Sequence, residues 1–206
     1  MAFPGPTWTS SHVYGQGLVN HASCLSYFNT PKCASMWMRA YLAKFDNAWV
    51  SANFTQQDMI GYCPIVLVRD PVERWVSMCP GVDEMPGIVK RESSIDRIFA
   101  NFRDWTQDEH TTPQYDFIDG LDLTDAVYFW CDKNLSGNVK HFFDSIGFPD
   151  IDPPAPVNEQ PKTEQFKESS DIWRTILSTP KYLEQFKQTF KRDYDLINQI
   201  KFYGHN

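Results

Sequence analysis

Apolar positions along the chain fall into short runs whose spacing alternates between strand-like and helix-like periods. Residues 25–29 (LSYFN) read as a short buried strand, and 36–44, led by Met36 and Trp37, as the helix that follows. Residues 63–70 (CPIVLVRD) form the strongest strand, an unbroken apolar run of the kind found in a parallel sheet covered on both faces. That run enters DPVERWVSM, where Asp70 can cap, Pro71 takes the first helical position and Glu73 falls three residues after the cap. Between 94 and 105, Ile95, Ile98, Phe99, Phe102 and Trp105 recur at helical spacing, with Ser93 or Ser94 as cap.

Residues 125–130 (DAVYFW) predict another strand, and 135–146 a helix whose Phe142, Phe143 and Ile146 face inward. Five prolines between 148 and 161 (Pro149, Pro153, Pro154, Pro156 and Pro161) predict an extended surface crossing. Within 168–201 two helices are expected, 170–178 and 180–200. The second opens on Thr179-Pro180 and carries a packing stripe of Tyr182, Phe186, Phe190 and Tyr194. Residues 1–22 show no periodic pattern and are expected to be irregular. Strands alternating with helices predict an α/β fold with a central, mostly parallel sheet flanked by helices.

The length of 206 residues suits a single domain, 1–206, with a full core. A net charge of -7 argues against broad nucleic-acid or anionic-membrane binding, so any anion site has to be a local pocket. The five cysteines are scattered without a C-x-x-C pair, which signals neither a zinc site nor a disulfide framework and predicts reduced thiols. The first twenty residues lack the basic and apolar regions of a signal peptide, and no apolar run approaches the roughly 20 residues that span a bilayer. A soluble cytoplasmic protein is the expectation, although a chain trimmed of an anchor would read the same. Its size and lack of an anchor lean toward a bacterial or viral source.

Two strand-to-helix junctions carry the candidate chemistry. In NTPKCASMWM a strand ends, Lys32 follows Pro31, and the small residues Cys33, Ala34 and Ser35 lead into a helix. The amides of Cys33, Ala34, Ser35, Met36 and Trp37 would then converge on one anion, with Lys32 as a mobile charge. The glycines and the terminal Lys-Ser/Thr of a nucleoside-triphosphate loop are missing. Taken alone, the stretch reads first as an ordinary turn with a surface lysine.

In the second junction Arg69 ends a buried strand at the edge where open α/β sheets bind ligands. Ser77 lies two helical turns further on and shares a face with Arg74. An arginine fork with a hydroxyl suits a phosphate monoester; the bland alternative is a local ion pair and a solvated serine.

Together the two junctions resemble the sulfotransferases that use 3′-phosphoadenosine 5′-phosphosulfate (PAPS). PKCASMW (31–37) is similar to their 5′-phosphosulfate loop, P-K-x-[GA]-[ST]-x-[WFL], and RDPVERWVS (69–77) matches their 3′-phosphate element, R-D-P-x-x-R-x-x-S, without a gap. Residues 108–129 look like a shortened H-W-x-P-Q…Y-D-F-I-G segment of the carbohydrate sulfotransferases, and FKQTFKRDYDLI (186–197) is similar to their closing helix. The chain departs from the pattern at Met36, where a serine or threonine often meets the 5′-phosphate, and at Thr111, where tryptophan is usual. It also lacks the late R-K-G-x-x-G-D-W-K element.

The resemblance implies a P-loop-NTPase-like sulfotransferase fold and transfer of the sulfuryl group of PAPS to a hydroxyl acceptor. The acceptor would be a glycan or a small molecule, and the other product adenosine 3′,5′-bisphosphate. Lys32 and the loop amides would stabilise charge on the leaving phosphate, and Arg69, Arg74 and Ser77 would hold the 3′-phosphate. His110 or Glu109 would act as general base, a role worth roughly 10²–10⁴-fold; Asp108, His12 and His21 are further candidates. Gln114 would touch the acceptor. No metal is implied. The acidic balance favours a neutral or lightly charged acceptor. A small-molecule kinase and a non-catalytic nucleotide-binding protein are the competing classes. The first is disfavoured by the position of the lysine and the second is open.

Overall fold

The computed structural model describes residues 16–46, 48–53, 61–77, 95–96, 99, 111–155 and 164–205. Gln16–Asn20 (β1) and Leu25–Phe28 (β2) make an antiparallel hairpin across the turn 21–24. Ser35–Leu42 (α1) follows β2, and Val50–Asn53 (β3) returns to pair antiparallel with β1. Cys63–Val68 (β4) then lies parallel to β2, and Val127–Trp130 (β5) parallel to β4. The sheet order is β3-β1-β2-β4-β5.

The sheet is therefore mixed, not mostly parallel. Its parallel part is β2-β4-β5, the three strands that the apolar runs predict. The antiparallel part comes from β1, which lies inside the segment expected to be irregular, and from β3. Both are short and carry few apolar residues, QGLVN and VSAN, too little for a periodic signal. The turn 21–24 is too short for a crossover, so β1 and β2 must run antiparallel.

Side chains alternate across the sheet as the pleat requires. On one face Tyr27, Ile65, Leu67 and Phe129 pack with Trp37, Met38, Tyr41 and Leu42 of α1 and with Leu135, Val139, Phe142 and Phe143 of Leu135–Ser145 (α3). On the other, Phe28, Val66, Val68 and Tyr128 pack with Ile118 and Leu196. Ile146, expected to face inward, ends α3 at 45% exposure, because the chain leaves the helix there for Gly147 in a left-handed conformation.

Pro71–Val76 (α2) starts as its sequence predicts, with the Asp70 carboxylate accepting the Glu73 N–H at 2.9 Å and Pro71 in the first turn. The predicted helix at 94–105 lies almost wholly outside the described residues. The proline-rich crossing has no regular structure over 148–155 and is strapped onto α1. Trp37 Nε1 donates to the Pro154 carbonyl at 3.0 Å and Tyr41 Oη to that of Ile151 at 3.2 Å.

The C-terminal region holds three helices where two were expected: Glu164–Leu177 (α4), Pro180–Thr189 (α5) and Lys191–Gln199 (α6). The long second helix breaks at Phe190, whose ψ of 22° re-aims α6 along the sheet. The aromatic stripe packs as predicted, with Tyr182, Phe186 and Phe190 buried against Trp75, Phe99 and Trp173. Among the described residues, no helix is long and apolar enough to cross a membrane.

Candidate anion site at the sheet edge

Because β2, β4 and β5 are parallel, their C-terminal ends open onto one edge of the sheet. The turn 30–34, Arg69 and Cys131 all lie there. This is the edge at which open α/β sheets collect ligands.

The turn is strained. Lys32 has φ 64° and Ala34 φ 52°, both left-handed, with Cys33 between them outside that region. A left-handed backbone costs a side-chain-bearing residue about 1–2 kcal/mol. Alternating backbone handedness of this kind points successive N–H groups into one concavity, the arrangement that binds anions in phosphate loops. Ala34 also caps α1 without any side-chain hydrogen bond, so Ser35, Met36 and Trp37 present first-turn amides at the positive end of the helix.

Three side chains from other segments hold the turn. Arg69 Nη1 donates to the Lys32 carbonyl at 3.2 Å, and Arg74 Nε to the Pro31 carbonyl at 3.0 Å. The Cys33 thiol donates to Gln114 Oε1 at 3.3 Å. The two junctions, 37 residues apart in sequence, are thus one assembly.

The individual residues sort by exposure. Lys32, Ala34, Ser35 and Arg69 are half-buried at the edge, and Ser77, also half-buried, lies at the far end of α2. Ser77 caps the end of α2, and its hydroxyl donates to the Arg74 carbonyl at 2.6 Å. Met36 is 64% exposed at the first turn of α1. The Cys33 and Trp37 side chains are core, and the Cys33 N–H already donates to the Thr30 carbonyl at 3.3 Å, so of the expected loop amides that one is taken within the turn.

Arg74 and Gln114 take different places from those expected. Arg74, expected on a phosphate, is 2% exposed. Besides Pro31 it donates from Nη1 to the Thr112 carbonyl at 2.6 Å, and it lies over the Phe117 ring at 5.8 Å. It is framework. Gln114, expected to touch an acceptor, is also 2% exposed, at the start of the short 3₁₀ helix Gln114–Phe117. Its amide clasps the Arg69 peptide, accepting Arg69 N–H at 3.0 Å and donating to Arg69 O at 2.7 Å. Both sit where the pattern residues do, but their side chains turn inward.

Asp193 in α6 did not stand out in the sequence. It is fully buried and accepts the N–H groups of Gln114 (Oδ2, 3.0 Å) and Tyr115 (Oδ1, 2.8 Å). One signal could have found it: a carboxylate on the inward line of Phe186 and Phe190, where an apolar residue would be expected. Burial pushes its carboxyl up to about 6, although the Arg74 charge and the two backbone amides pull the other way.

Arg74 and Arg69 place positive charge beside Cys33, and the buried Asp193 opposes them. Burial alone would raise the Cys33 thiol, but a hydrogen bond from Cys131 and the charges of Arg74 and Arg69 outweigh it and bring the thiol below its ordinary value. Cys131 moves the opposite way, held protonated by its hydrogen bond to Cys33 and by burial. The two shifts are opposite halves of one buried thiol pair, with Arg74 and Arg69 adding positive charge beside Cys33.

His110, Glu109, Asp108 and His12 lie outside the described residues. His21 stands at the opposite edge of the sheet, in the turn before β2, where Nδ1 meets Tyr62 Oη at 2.6 Å. It is remote from the turn 30–34. Among the described residues, no group of three or more His, Cys, Asp or Glu side chains could hold a metal ion. No family model, curated protein or solved structure matches the chain.

Proposed function

We propose that this chain is a PAPS-dependent sulfotransferase acting on a hydroxyl group, with a carbohydrate as the favoured acceptor class. The observation that carries the reading is the joining of the two sequence elements. The Lys32 turn, left-handed at Lys32 and Ala34, is bonded through its own carbonyl to the guanidinium of Arg69. A nucleotide with one anionic group at the 5′ position and another at the 3′ position needs two basic sites on a common edge. The parallel order β2-β4-β5, with a helix directly after β2 and after β4, supports the P-loop-like form of the fold.

The residues present fit such a nucleotide. The turn offers backbone N–H groups and a lysine, with the Arg69 guanidinium bonded beside them. PAPS, when bound, supplies an activated sulfuryl group whose departure leaves charge on a phosphate oxygen. The amides of the turn and Lys32 would meet that charge as it develops, without reorganisation, an electrostatic contribution that falls on the barrier and not on binding. Arg69 and Ser77 would position the ligand away from the reacting atoms. A base, His110 or Glu109, would take the acceptor proton. Arg74 acts indirectly, by fixing the Pro31 carbonyl and thereby the entry into the turn.

Thermal shift measurements test the binding half. Adenosine 3′,5′-bisphosphate should raise the melting temperature, the effect should collapse in Arg69→Ala, and ATP with Mg²⁺ should give no comparable shift. A stabilisation by ATP–Mg²⁺ with none by the bisphosphate would favour a kinase and end this reading. Turnover is tested by an acceptor screen with labelled PAPS. Lys32→Ala and His110→Ala should each lose activity while keeping the fold. Bisphosphate binding with no turnover on any hydroxyl acceptor would leave a binding protein.

A further inference from the structure

Left-handed residues other than glycine persist only where the surroundings over-determine them. The turn 30–34 is held at three successive residues: Pro31 by Arg74, Lys32 by Arg69 and Cys33 by Gln114. Gln114 differs from the other two because it also grips Arg69, on both sides of that residue's peptide unit. A single buried amide therefore touches both of the segments that face an anion. Its oxygen takes two donors, Arg69 N–H and Cys33 S–H, which fills both lone pairs. With that oxygen saturated and the residue 2% exposed, Gln114 is poorly placed to recognise an acceptor.

Gln114 is itself braced. The Asp193 carboxylate fixes its backbone N–H and that of Tyr115, and Arg74 fixes the Thr112 carbonyl two residues earlier. The chain of contacts runs from α6 through the 3₁₀ helix to the end of β4 and the turn after β2. Every link is a hydrogen bond to backbone or to a buried side chain, so the distance between the turn and Arg69 has little freedom.

We propose that Gln114, backed by Asp193, is a positioning residue that sets the spacing between the Lys32 turn and Arg69, so that one ligand bearing two anionic groups engages both at once. The proposal rests on the two-anion reading of the site. Its consequence is selective. When two grips are pre-spaced, the second contact is intramolecular and adds to affinity without further ordering. Loosening the spacer should weaken a ligand that uses both grips and leave nearly unaffected a ligand that uses one. A general brace would weaken both alike.

The test compares adenosine 3′,5′-bisphosphate with adenosine 5′-monophosphate by calorimetry on wild type and Gln114→Met. The unbranched thioether fills the amide's space without its hydrogen bonds. The bisphosphate should bind roughly tenfold or more weakly to the variant, and the monophosphate should change by less than about threefold. In an Arg69→Ala background the Gln114→Met change should have almost no further effect on the bisphosphate, because the second grip is already gone.

Equal weakening of both nucleotides, or additive losses in the double variant, would overturn the proposal and leave Gln114 as a structural brace. If Gln114→Met does not fold, Asp193→Asn, which frees the Gln114 backbone from a charge, takes its place in the comparison. Selective loss of the bisphosphate again supports the proposal, and equal loss of both nucleotides again overturns it. Wild-type protein that binds neither nucleotide would overturn the two-anion reading, and this inference with it.

Discussion

Replacing Ala34 by glycine should stabilise this protein, although the residue begins a helix, where glycine is ordinarily unwelcome. Ala34 has φ 52° and ψ 27°, a left-handed backbone at the N-cap of α1. The Cβ of a residue in that region costs about 1–2 kcal/mol. Against this, glycine adds roughly 0.5–1 kcal/mol of chain entropy to the unfolded state. Glycine is also a better N-cap than alanine, which adds a few tenths of a kcal/mol in the same direction. The sum favours Ala34→Gly by about 0.5–1.5 kcal/mol, or roughly 1–6 °C in melting temperature for a chain of this length.

Ala40 supplies the internal control. It lies inside the same helix with ordinary helical geometry, so Ala40→Gly should lose about 1 kcal/mol. Urea denaturation of the two variants at matched pH should show midpoints moving in opposite directions with unchanged slopes. If Ala34→Gly lowers the midpoint as Ala40→Gly does, the turn is not left-handed at residue 34, and its N–H groups do not share one concavity. The related change Lys32→Gly, at φ 64°, relieves the same strain and removes the charge. It should raise stability while abolishing nucleotide binding.

Other predictions follow from neighbouring residues. Arg74→Met should cost about 3–5 kcal/mol, because it orphans the Pro31 and Thr112 carbonyls and leaves the buried Asp193 without its opposing charge; thermal melts check this. The folded protein raises the Asp193 carboxyl from 3.8 to about 6, so the folded state holds this proton more tightly than the unfolded chain does. Its contribution to stability is full below about pH 4 and is lost as pH rises through 6, at most about 3 kcal/mol. Subtracting the pH dependence of Asp193→Asn from that of wild type should isolate this fall. Met36 is largely exposed, so Met36→Thr should change stability by less than about 0.5 kcal/mol. It should also tighten adenosine 3′,5′-bisphosphate binding in a calorimetric titration, by restoring a hydroxyl beside the turn.

In P-K-x-[GA]-[ST] the glycine-or-alanine site falls on Ala34, the left-handed cap of α1. Of the two residues the pattern allows there, glycine would adopt this conformation without strain and alanine does not. The same pattern gave no warning of where Arg74 points. An arginine on the same helix face as Ser77 reads as a second phosphate ligand in sequence, but the guanidinium folds under the turn and meets the Pro31 and Thr112 carbonyls. Likewise Gln114 follows a proline in what reads as an exposed loop, yet it is almost completely buried.

Local rules were enough for β2, α1, β4, the capped start of α2, β5 and α3, because each rests on interactions within a few residues: apolar periodicity, the Asp70 cap, the first-turn Pro71. They also singled out Lys32 and Arg69, which the fold brings together at one edge of the sheet. What required the tertiary structure depends on partners distant in the chain. β1 and β3 exist as strands through pairing with each other and with β2, and too few apolar residues mark them in advance. The roles of Gln114, Arg74 and Asp193 are set by contacts across 38 to 81 residues of sequence, where burial decides which way a polar side chain turns. The left-handed backbone at Lys32 and Ala34 belongs to the same class. No local preference selects it, and only the side chains that converge on the turn from β4, α2 and the 3₁₀ helix keep it in place.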